Sequence, residues 1–273
     1  MGAWATVELT SLLATALEAT DMASAIVRRR LPGDLTEKGD RDLTSEVDFA
    51  VEHAVREFLR TRTPSLGILG EEEGMSFGES NELVWILDPI DGTINFIRGM
   101  PLCAVSLALA SHDQPVLGVI DLPFLDVRYS ATLGTGAYRN GQRIYASKTS
   151  SLGEAIVAVG DYAVGENANT RNQTRLAITH DLAEIALRIR MLGSAAIDLA
   201  WLAEGRIDAS VTLSNNPWDM AAGVILAREA GAVVRDRDGS DYSLRSGVTL
   251  AAAPDLMSDF LRLISRAESR STA

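Results

Sequence analysis

The chain has 273 residues, a formal net charge of −12, 47% hydrophobic residues and a single cysteine, Cys103. The charge argues against nucleic acids and anionic membranes as partners, and one cysteine allows no disulfide within the chain, as is typical of a reducing cytoplasm. The sequence has no apolar run of about 18 residues, and its start lacks the basic and apolar regions of a signal peptide. We therefore expect a cytoplasmic protein whose substrate is small or cationic, or is an anion that enters with metal ions.

Hydrophobic periodicity predicts the elements of the first half, about residues 1–147. Apolar residues at three- and four-residue steps predict helices over 7–30 and 45–63, with a Gly-, Pro- and charge-rich, exposed and mobile loop at 31–44 between them. Asn140-Gly141 predicts a two-residue hairpin turn. Apolar runs predict a meander of strands at 65–70, 83–88, 103–111, 115–123 and 127–133.

The second half, about residues 148–273, alternates strands with helices. The helices are predicted at 174–189, 195–205, 218–232 and 256–267, and the strands at 154–160, 206–213 and 232–236. The chain contains no linker-like segment, internal repeat or low-complexity stretch. We therefore predict one layered α/β domain, residues 1–273, built from two sheets.

The stretch VWILDPIDGTIN at 84–95 raises the question of function. An apolar strand ends on Asp88, and Pro89 biases that residue toward an extended conformation, so Asp88 and Asp91 lie on the same side of a tight turn. Gly92 allows the backbone to approach a ligand closely, and Thr93 is suited to cap a following helix. A simple polar turn capped by Thr93 is the alternative interpretation.

Other acids follow predicted strands or begin predicted helices, and each alone is typical of a solvated loop or a helix cap. They are Asp42, Asp48, the triplet Glu71 to Glu73, and Asp219. If they converge, two carboxylates 4 Å apart repel by roughly 4 kcal/mol at an effective dielectric constant of about 20, so the pocket requires protonation or cations. Oxygen ligands without His or Cys suit Mg²⁺, Mn²⁺ or Ca²⁺. The hypothesis is that Asp88 and Asp91 hold divalent cations.

Three segments resemble the signature motifs of the inositol monophosphatase family, whose relatives include the fructose bisphosphatases. They are GEE at 70–72, WILDPIDGTINF at 85–96 and WDMAAGVILAREAGA at 218–232, and the likeness extends over nearly the whole chain. The resemblance implies a fructose-1,6-bisphosphatase-like αβαβα fold, a homodimer, lithium sensitivity and magnesium-dependent hydrolysis of a phosphomonoester. An inactive metal-binding regulatory protein is the alternative of another class, but such a protein is expected to lack the water-activating Asp48 and Thr93, which this chain has.

The resemblance also implies a role for each matching position. Two or three Mg²⁺ ions, with Mn²⁺ as a substitute, are expected on Glu71, Asp88, the Ile90 carbonyl, Asp91 and Asp219. Asp48, Thr93 and Glu71 are implied in catalysis, and Lys38 and Asp42 lie on the implied mobile loop. The implied substrate-binding residues are Asp91, Gly92, Thr93, Gly193, Ser194, Ala195, Asn216 and Asp219.

The substrate is less well determined because two positions depart from the inositol-specific pattern. Thr212 stands where that pattern has a glutamate, and Asn216 stands where it has a histidine. Losing the carboxylate removes a strong acceptor for sugar hydroxyls. The resemblance still implies inositol monophosphate or a similar metabolite as the substrate, but this departure leaves histidinol phosphate, fructose 1,6-bisphosphate, a nucleotide 3′-phosphate and NADP(H) as alternatives.

Overall fold

The computed structural model describes residues 6–39 and 42–271. Its helices are α1 (Thr6–Arg29), α2 (Glu46–Arg62), α3 (Thr93–Ile97), α4 (Ala168–Ile185), α5 (Ala195–Ala203), α6 (Pro217–Glu229) and α7 (Met257–Ser271). Its strands in the first half are β1 (Leu35–Gly39), β2 (Asp42–Ser45), β3 (Leu66–Gly70), β4 (Gly74–Ser76), β5 (Ser80–Asp91), β6 (Ala104–Ser111), β7 (Gln114–Leu122), β8 (Val127–Thr132), β9 (Gly136–Arg139) and β10 (Gln142–Ile144). The second half adds β11 (Ile156–Val159), β12 (Arg188–Arg190), β13 (Ala209–Thr212), β14 (Val233–Arg235) and β15 (Thr249–Ala252).

Two large sheets and three pairs of helices form the layers. An eight-stranded sheet has the order β10-β9-β8-β7-β6-β5-β3-β4, and a five-stranded sheet has the order β12-β11-β13-β15-β14. Helices α1 and α2 pack on one face of the larger sheet, α5 and α6 lie between the sheets, and α4 packs with α7 against the smaller sheet. The predicted αβαβα arrangement of a layered α/β fold is therefore confirmed.

The burial of apolar side chains explains why the hydrophobic patterns predicted most of these helices and strands correctly. Val47, Val51, Val55 and Leu59 lie on one face of α2 and are at most 2% exposed. Strands β6 and β7 are buried on both faces, which is why they appear in the sequence as nearly continuous apolar runs. Within the described residues, no helix combines the length and the apolar character needed to cross a membrane.

The segment predicted as a loop at 31–44 instead contains an antiparallel hairpin. Strand β1 pairs with β2 in a register that joins Leu35 to Ser45 and Thr36 to Thr44. All of β1 is exposed, as expected, so it has no alternation of apolar and polar residues to reveal a strand. Strand β4 was missed for the same reason, because its residues are only partly buried.

The second half shows three further corrections. Helix α4 begins at Ala168, several residues before the predicted start, because its first turn is polar and mostly exposed. The helix also ends earlier than predicted, and the last predicted helical residues form β12, which pairs in parallel with β11. Strand β15 was missed because it is only four residues long, half of them alanine, and is buried between two neighbouring strands.

Candidate active site

The acids of the DPIDGT segment reach the site because β5 continues to Asp91, past its predicted end. The pairing of β5 with β6 shifts its register between Asp88 and Asp91, and this irregularity accommodates Pro89. Gly92 has φ 87°, a left-handed conformation that favours glycine. An added Cβ there would lie 2.9 Å from the Leu102 carbonyl oxygen, so the position has neither the torsion angle nor the space for a side chain.

Most of the residues predicted for the site line a single cavity of about 360 Å³. It brings together the end of β3, the end of β5, the start of α5 and the start of α6, which come from both halves of the sequence. The predicted residues in its wall are Glu71, Asp88, Ile90, Asp91, Gly92, Thr93, Gly193, Ser194, Ala195 and Asp219.

Asp48 lies directly behind this wall and is fully buried. It is the third residue of α2, and its Oδ2 accepts hydrogen bonds from the Ser45 amide (3.0 Å) and hydroxyl (2.5 Å) in a capping box. Its Oδ1 lies 3.2 Å from the Thr93 hydroxyl, which is also 3.0 Å from the Ile90 carbonyl oxygen. Thr93 is therefore not the cap expected from the sequence. Gly92 is the N-cap of α3, which leaves the Thr93 side chain free to contact Asp48.

The hairpin of β1 and β2 reaches the site through Lys38. Its Nζ lies 3.0 Å from Glu71 Oε1 and 2.6 Å from Glu72 Oε1. Burial opposes the charge of Lys38, but the hydrogen bonds to Glu72 and Glu71 raise its pKa above the usual value. Asp42 begins β2, and its side chain lies outside the described part of the structure.

Three of the carboxylates in the cavity wall accept hydrogen bonds from protein donors. Asp88 Oδ1 accepts from the Ile90 amide (3.0 Å), and Asp219 Oδ2 accepts from the Asn216 side chain (3.1 Å). Asp91 Oδ2 accepts from the Ser194 hydroxyl and the Ala196 amide, both at 2.6 Å. Across residues 6–39 and 42–271, no three His, Cys, Asp or Glu side chains are already positioned to hold one metal ion. The acids therefore converge on one cavity, as expected, but the described side chains do not form a preformed cage for a metal ion.

The electrostatics of the cavity nevertheless fit a cation. Burial raises the pKa of Asp88 well above its usual value, and the charges of Glu71, Asp91 and Asp219 raise it further. Burial and then the charges of Asp91 and Glu71 raise the pKa of Asp219 to about 8. Burial also raises the pKa of Asp91 to about 6, against the effect of its hydrogen bonds. A bound dication would relieve this repulsion, and the donors are hard oxygen atoms that suit Mg²⁺.

Two residues that position the site escaped the sequence analysis. The Asn95 side chain donates to the carbonyl oxygens of Leu102 (2.7 Å) and Leu192 (2.8 Å), and so ties α3 to the segment before Gly193. Buried Glu52 accepts from the amides of Glu72 and Glu73, both at 2.9 Å, and fixes the turn that carries Glu71. The position of Asn95 inside the motif at 85–96 could have indicated a role at the site. Nothing in the periodicity of α2 distinguishes Glu52.

The single cysteine and the histidines lie away from the cavity. Buried Cys103 is a small core residue, as its apolar neighbours suggest. The three histidines, His53, His112 and His180, are exposed and lie outside the cavity wall.

Comparison with known proteins agrees with the geometry. The Inositol monophosphatase family profile matches residues 8–269. The chain is 34% identical to the inositol-1-monophosphatase ImpA of Mycolicibacterium smegmatis, over 94% of this chain and 93% of the relative. It is 32% identical to inositol monophosphatase 1 of Solanum lycopersicum, over 95% and 97%. The structure of an inositol monophosphatase from Anabaena (Nostoc) sp. PCC 7120 superposes with a TM-score of 0.84 at 32% identity, over 94% of this chain and 96% of that one.

Together with these relatives, the layered α/β fold and the acid-lined cavity identify a phosphoric monoester hydrolase. The chain belongs to the inositol monophosphatase family, and it is a phosphatase of that type. The family is generally metal-dependent. The comparisons favour neither the inactive regulatory alternative nor the other substrates considered from the sequence.

Proposed function

We propose that the chain hydrolyses inositol monophosphate or a closely similar phosphorylated polyol, with two or three Mg²⁺ ions at the acidic cavity. The proposed ligands are Glu71, Asp88, the Ile90 carbonyl, Asp91 and Asp219. One observation carries this proposal: these groups line the same cavity, and the acids among them raise one another's pKa values. A dication held there would lower the pKa of a bound water and neutralise charge on the phosphoryl group.

The proton-handling residues are proposed to be Thr93 and Asp48. The capping box holds Asp48 Oδ2, so Oδ1 is directed at the Thr93 hydroxyl 3.2 Å away. Burial raises the pKa of Asp48, and the hydrogen bonds from Ser45 and Thr93 partly offset this effect. Asp48 is thereby suited to accept a proton from Thr93, and Thr93 is suited to orient the attacking water and accept its proton. Glu71 is proposed to assist at the opposite wall, where Lys38 balances its charge.

The substrate is proposed to lie between the DPIDGT segment and α5. The backbone amides of Gly92 and Thr93 bind phosphate in this proposal, while Gly193, Ser194 and Ala195 line the space for the organic part. Asn216 acts indirectly, because its side chain orients Asp219.

The remaining expectations are proposals of the same kind. Residues 1–273 form one catalytic domain, since the cavity draws its wall from both halves of the chain. Mn²⁺ replaces Mg²⁺, Li⁺ inhibits, and the enzyme works as a cytoplasmic homodimer with no nucleic-acid or membrane partner. The hairpin that carries Lys38 and Asp42 moves when the substrate enters.

A phosphate-release assay tests the proposed function. The EDTA-treated protein is given inositol 1-phosphate, histidinol phosphate, fructose 1,6-bisphosphate, a nucleotide 3′-phosphate and NADP⁺, with and without Mg²⁺ and then with added Li⁺. We expect Mg²⁺-dependent release that is fastest from inositol 1-phosphate and is inhibited by Li⁺. Release that is unaffected by EDTA, or no release from any compound, would refute the proposal. Asp255→Asn, which removes one carboxylate from an exposed turn, is the matched control for the site variants.

A further inference from the structure

Two neighbouring strands of the smaller sheet end side by side at the cavity. Strands β11 and β13 are parallel, with Val159 opposite Val211, and the Gly160 amide donates to the Val211 carbonyl at 2.9 Å. An added Cβ on Gly160 would lie 3.4 Å from Thr212 Oγ1. The residue after Gly160 lines the same cavity wall as Thr212, the position at which the inositol-specific pattern has a glutamate.

That residue is Asp161, and its backbone is firmly held. The guanidinium of Arg175, a residue only 5% exposed, donates to the Asp161 carbonyl (3.2 Å), the Arg171 carbonyl (3.0 Å) and the Ser214 hydroxyl (3.2 Å). This clamp fixes the two loops that follow β11 and β13. Asp161 is exposed in the cavity that it lines, and its carboxylate has no hydrogen bond or ion pair with any other residue that the structure describes, so a ligand can reach it directly.

A second carboxylate in the same wall also lacks a donor. Asp198 of α5 is 2% exposed, and its Oδ1 has no hydrogen-bond partner within the described ranges. Burial raises the pKa of Asp198 well above its usual value, and the charges of Asp91 and Asp161 add to the effect. Because a buried carboxylate oxygen without a donor is unfavourable, a bound molecule that donates hydrogen bonds would stabilise this end of the cavity.

We propose that Asp161 is the hydroxyl-recognising carboxylate of this enzyme, with Asp198 as a second acceptor, and that it replaces the glutamate absent at Thr212. The inference rests on the proposed function and assigns the organic part of the substrate to a polyol. Two acids in one wall disfavour a second anionic group on the substrate. Arg171, which lies in the same wall and has no carboxylate partner among the described residues, disfavours an amine. Hydroxyl groups suit both the two acids and Arg171, because a hydroxyl donates to a carboxylate and accepts from a guanidinium.

Moving the carboxylate between the two strand ends tests the inference. Asp161→Ala, Thr212→Glu and the double variant are compared with the wild type by kcat/KM for inositol 1-phosphate and for 4-nitrophenyl phosphate, which has no free hydroxyl. In Asp161→Ala we expect the ratio of the two values to fall about tenfold, through a higher KM for inositol 1-phosphate. Thr212→Glu added to Asp161→Ala should restore most of that ratio, because the carboxylate returns to the neighbouring strand end. Asp255→Asn should leave the ratio unchanged.

The other outcomes separate the inference from the proposed function. An equal loss on both substrates in Asp161→Ala, or a ratio that does not change, overturns the inference alone. If adding Thr212→Glu to Asp161→Ala does not restore the ratio of the two kcat/KM values, the inference is also overturned. The lower ratio would then not be caused by the loss of a carboxylate at these strand ends. A larger loss on histidinol phosphate than on inositol 1-phosphate overturns the assignment to a polyol. A wild-type protein that hydrolyses neither test compound defeats the proposed function as well.

Discussion

Replacing Asp91 with asparagine should separate the stability of the site from its activity. Both hydrogen bonds to Asp91, from the Ser194 hydroxyl and the Ala196 amide, end on the same oxygen, Oδ2. The single carbonyl oxygen of asparagine can keep both bonds while the negative charge is lost. The metal-free protein should therefore become more stable, while turnover should be abolished because a proposed metal ligand is removed.

The expected gain in the stability of Asp91→Asn follows from the raised pKa of Asp91. Burial raises the pKa of Asp91 from 3.8 to about 6, so ionising this residue in the folded protein at pH 8 costs at most about 3 kcal/mol. The folded state binds this proton more tightly than the unfolded state, so Asp91 destabilises the wild type increasingly as the pH rises from about 4 to about 6. The advantage of asparagine should be full above about pH 6 and absent below about pH 4.

Urea unfolding in EDTA at pH 8 and pH 4 measures this difference. Asp255→Asn, with its exposed carboxylate, should leave the free energy of unfolding unchanged at both pH values. If Asp91→Asn is less stable than the wild type at pH 8, or if its gain is the same at both pH values, the electrostatic account of the cavity is wrong. Turnover with Mg²⁺ at the wild-type rate would remove Asp91 from the site.

Three further variants test other contacts. Thr93→Val should lower kcat about 100-fold with Mg²⁺ binding retained in calorimetry, because it removes the hydroxyl beside Asp48; an unchanged kcat would contradict its role. Lys38→Met should lower the urea-unfolding free energy by about 2 kcal/mol by leaving the buried Glu72 carboxylate without its cation and with only the Thr44 hydroxyl as a side-chain donor, and Glu72→Gln should recover part of this loss, whereas no recovery would exclude that cause. Gly92→Ala should cost about 1–3 kcal/mol by the same assay because of its positive φ, and wild-type stability would refute the strain.

The sequence by itself determined most of the elements that have an apolar face or an apolar run. The stripe of Val47, Val51 and Val55 predicted α2, and runs of buried apolar residues predicted β6 and β7. The turn at Asn140-Gly141 followed from its residues alone, and both have the positive φ that this turn requires. These features are local, so no knowledge of distant contacts was needed to find them.

The sequence also identified acids that the structure brings to one cavity, because the three motif segments carry them and resemble one family. It did not determine their arrangement. Asp48 faces Thr93 only because the capping box of α2 packs behind the end of β5, and Lys38 meets Glu71 only because the exposed segment before α2 folds into a hairpin. Such contacts join residues more than thirty positions apart and leave no periodic signal.

Only the tertiary structure determines which residues meet at the far end of the cavity. Asp161 and Thr212 are 51 positions apart in the sequence, and the parallel pairing of β11 with β13 places them at the same sheet edge. Asp198 has no donor for Oδ1 because of what surrounds α5, which no pattern within α5 reveals. Propensity and hydrophobic pattern act over a few residues, whereas the surroundings of a buried carboxylate depend on how the sheets and helices pack. The motif acids could therefore be predicted from the chain, whereas the surroundings of Asp161 and Asp198 could not.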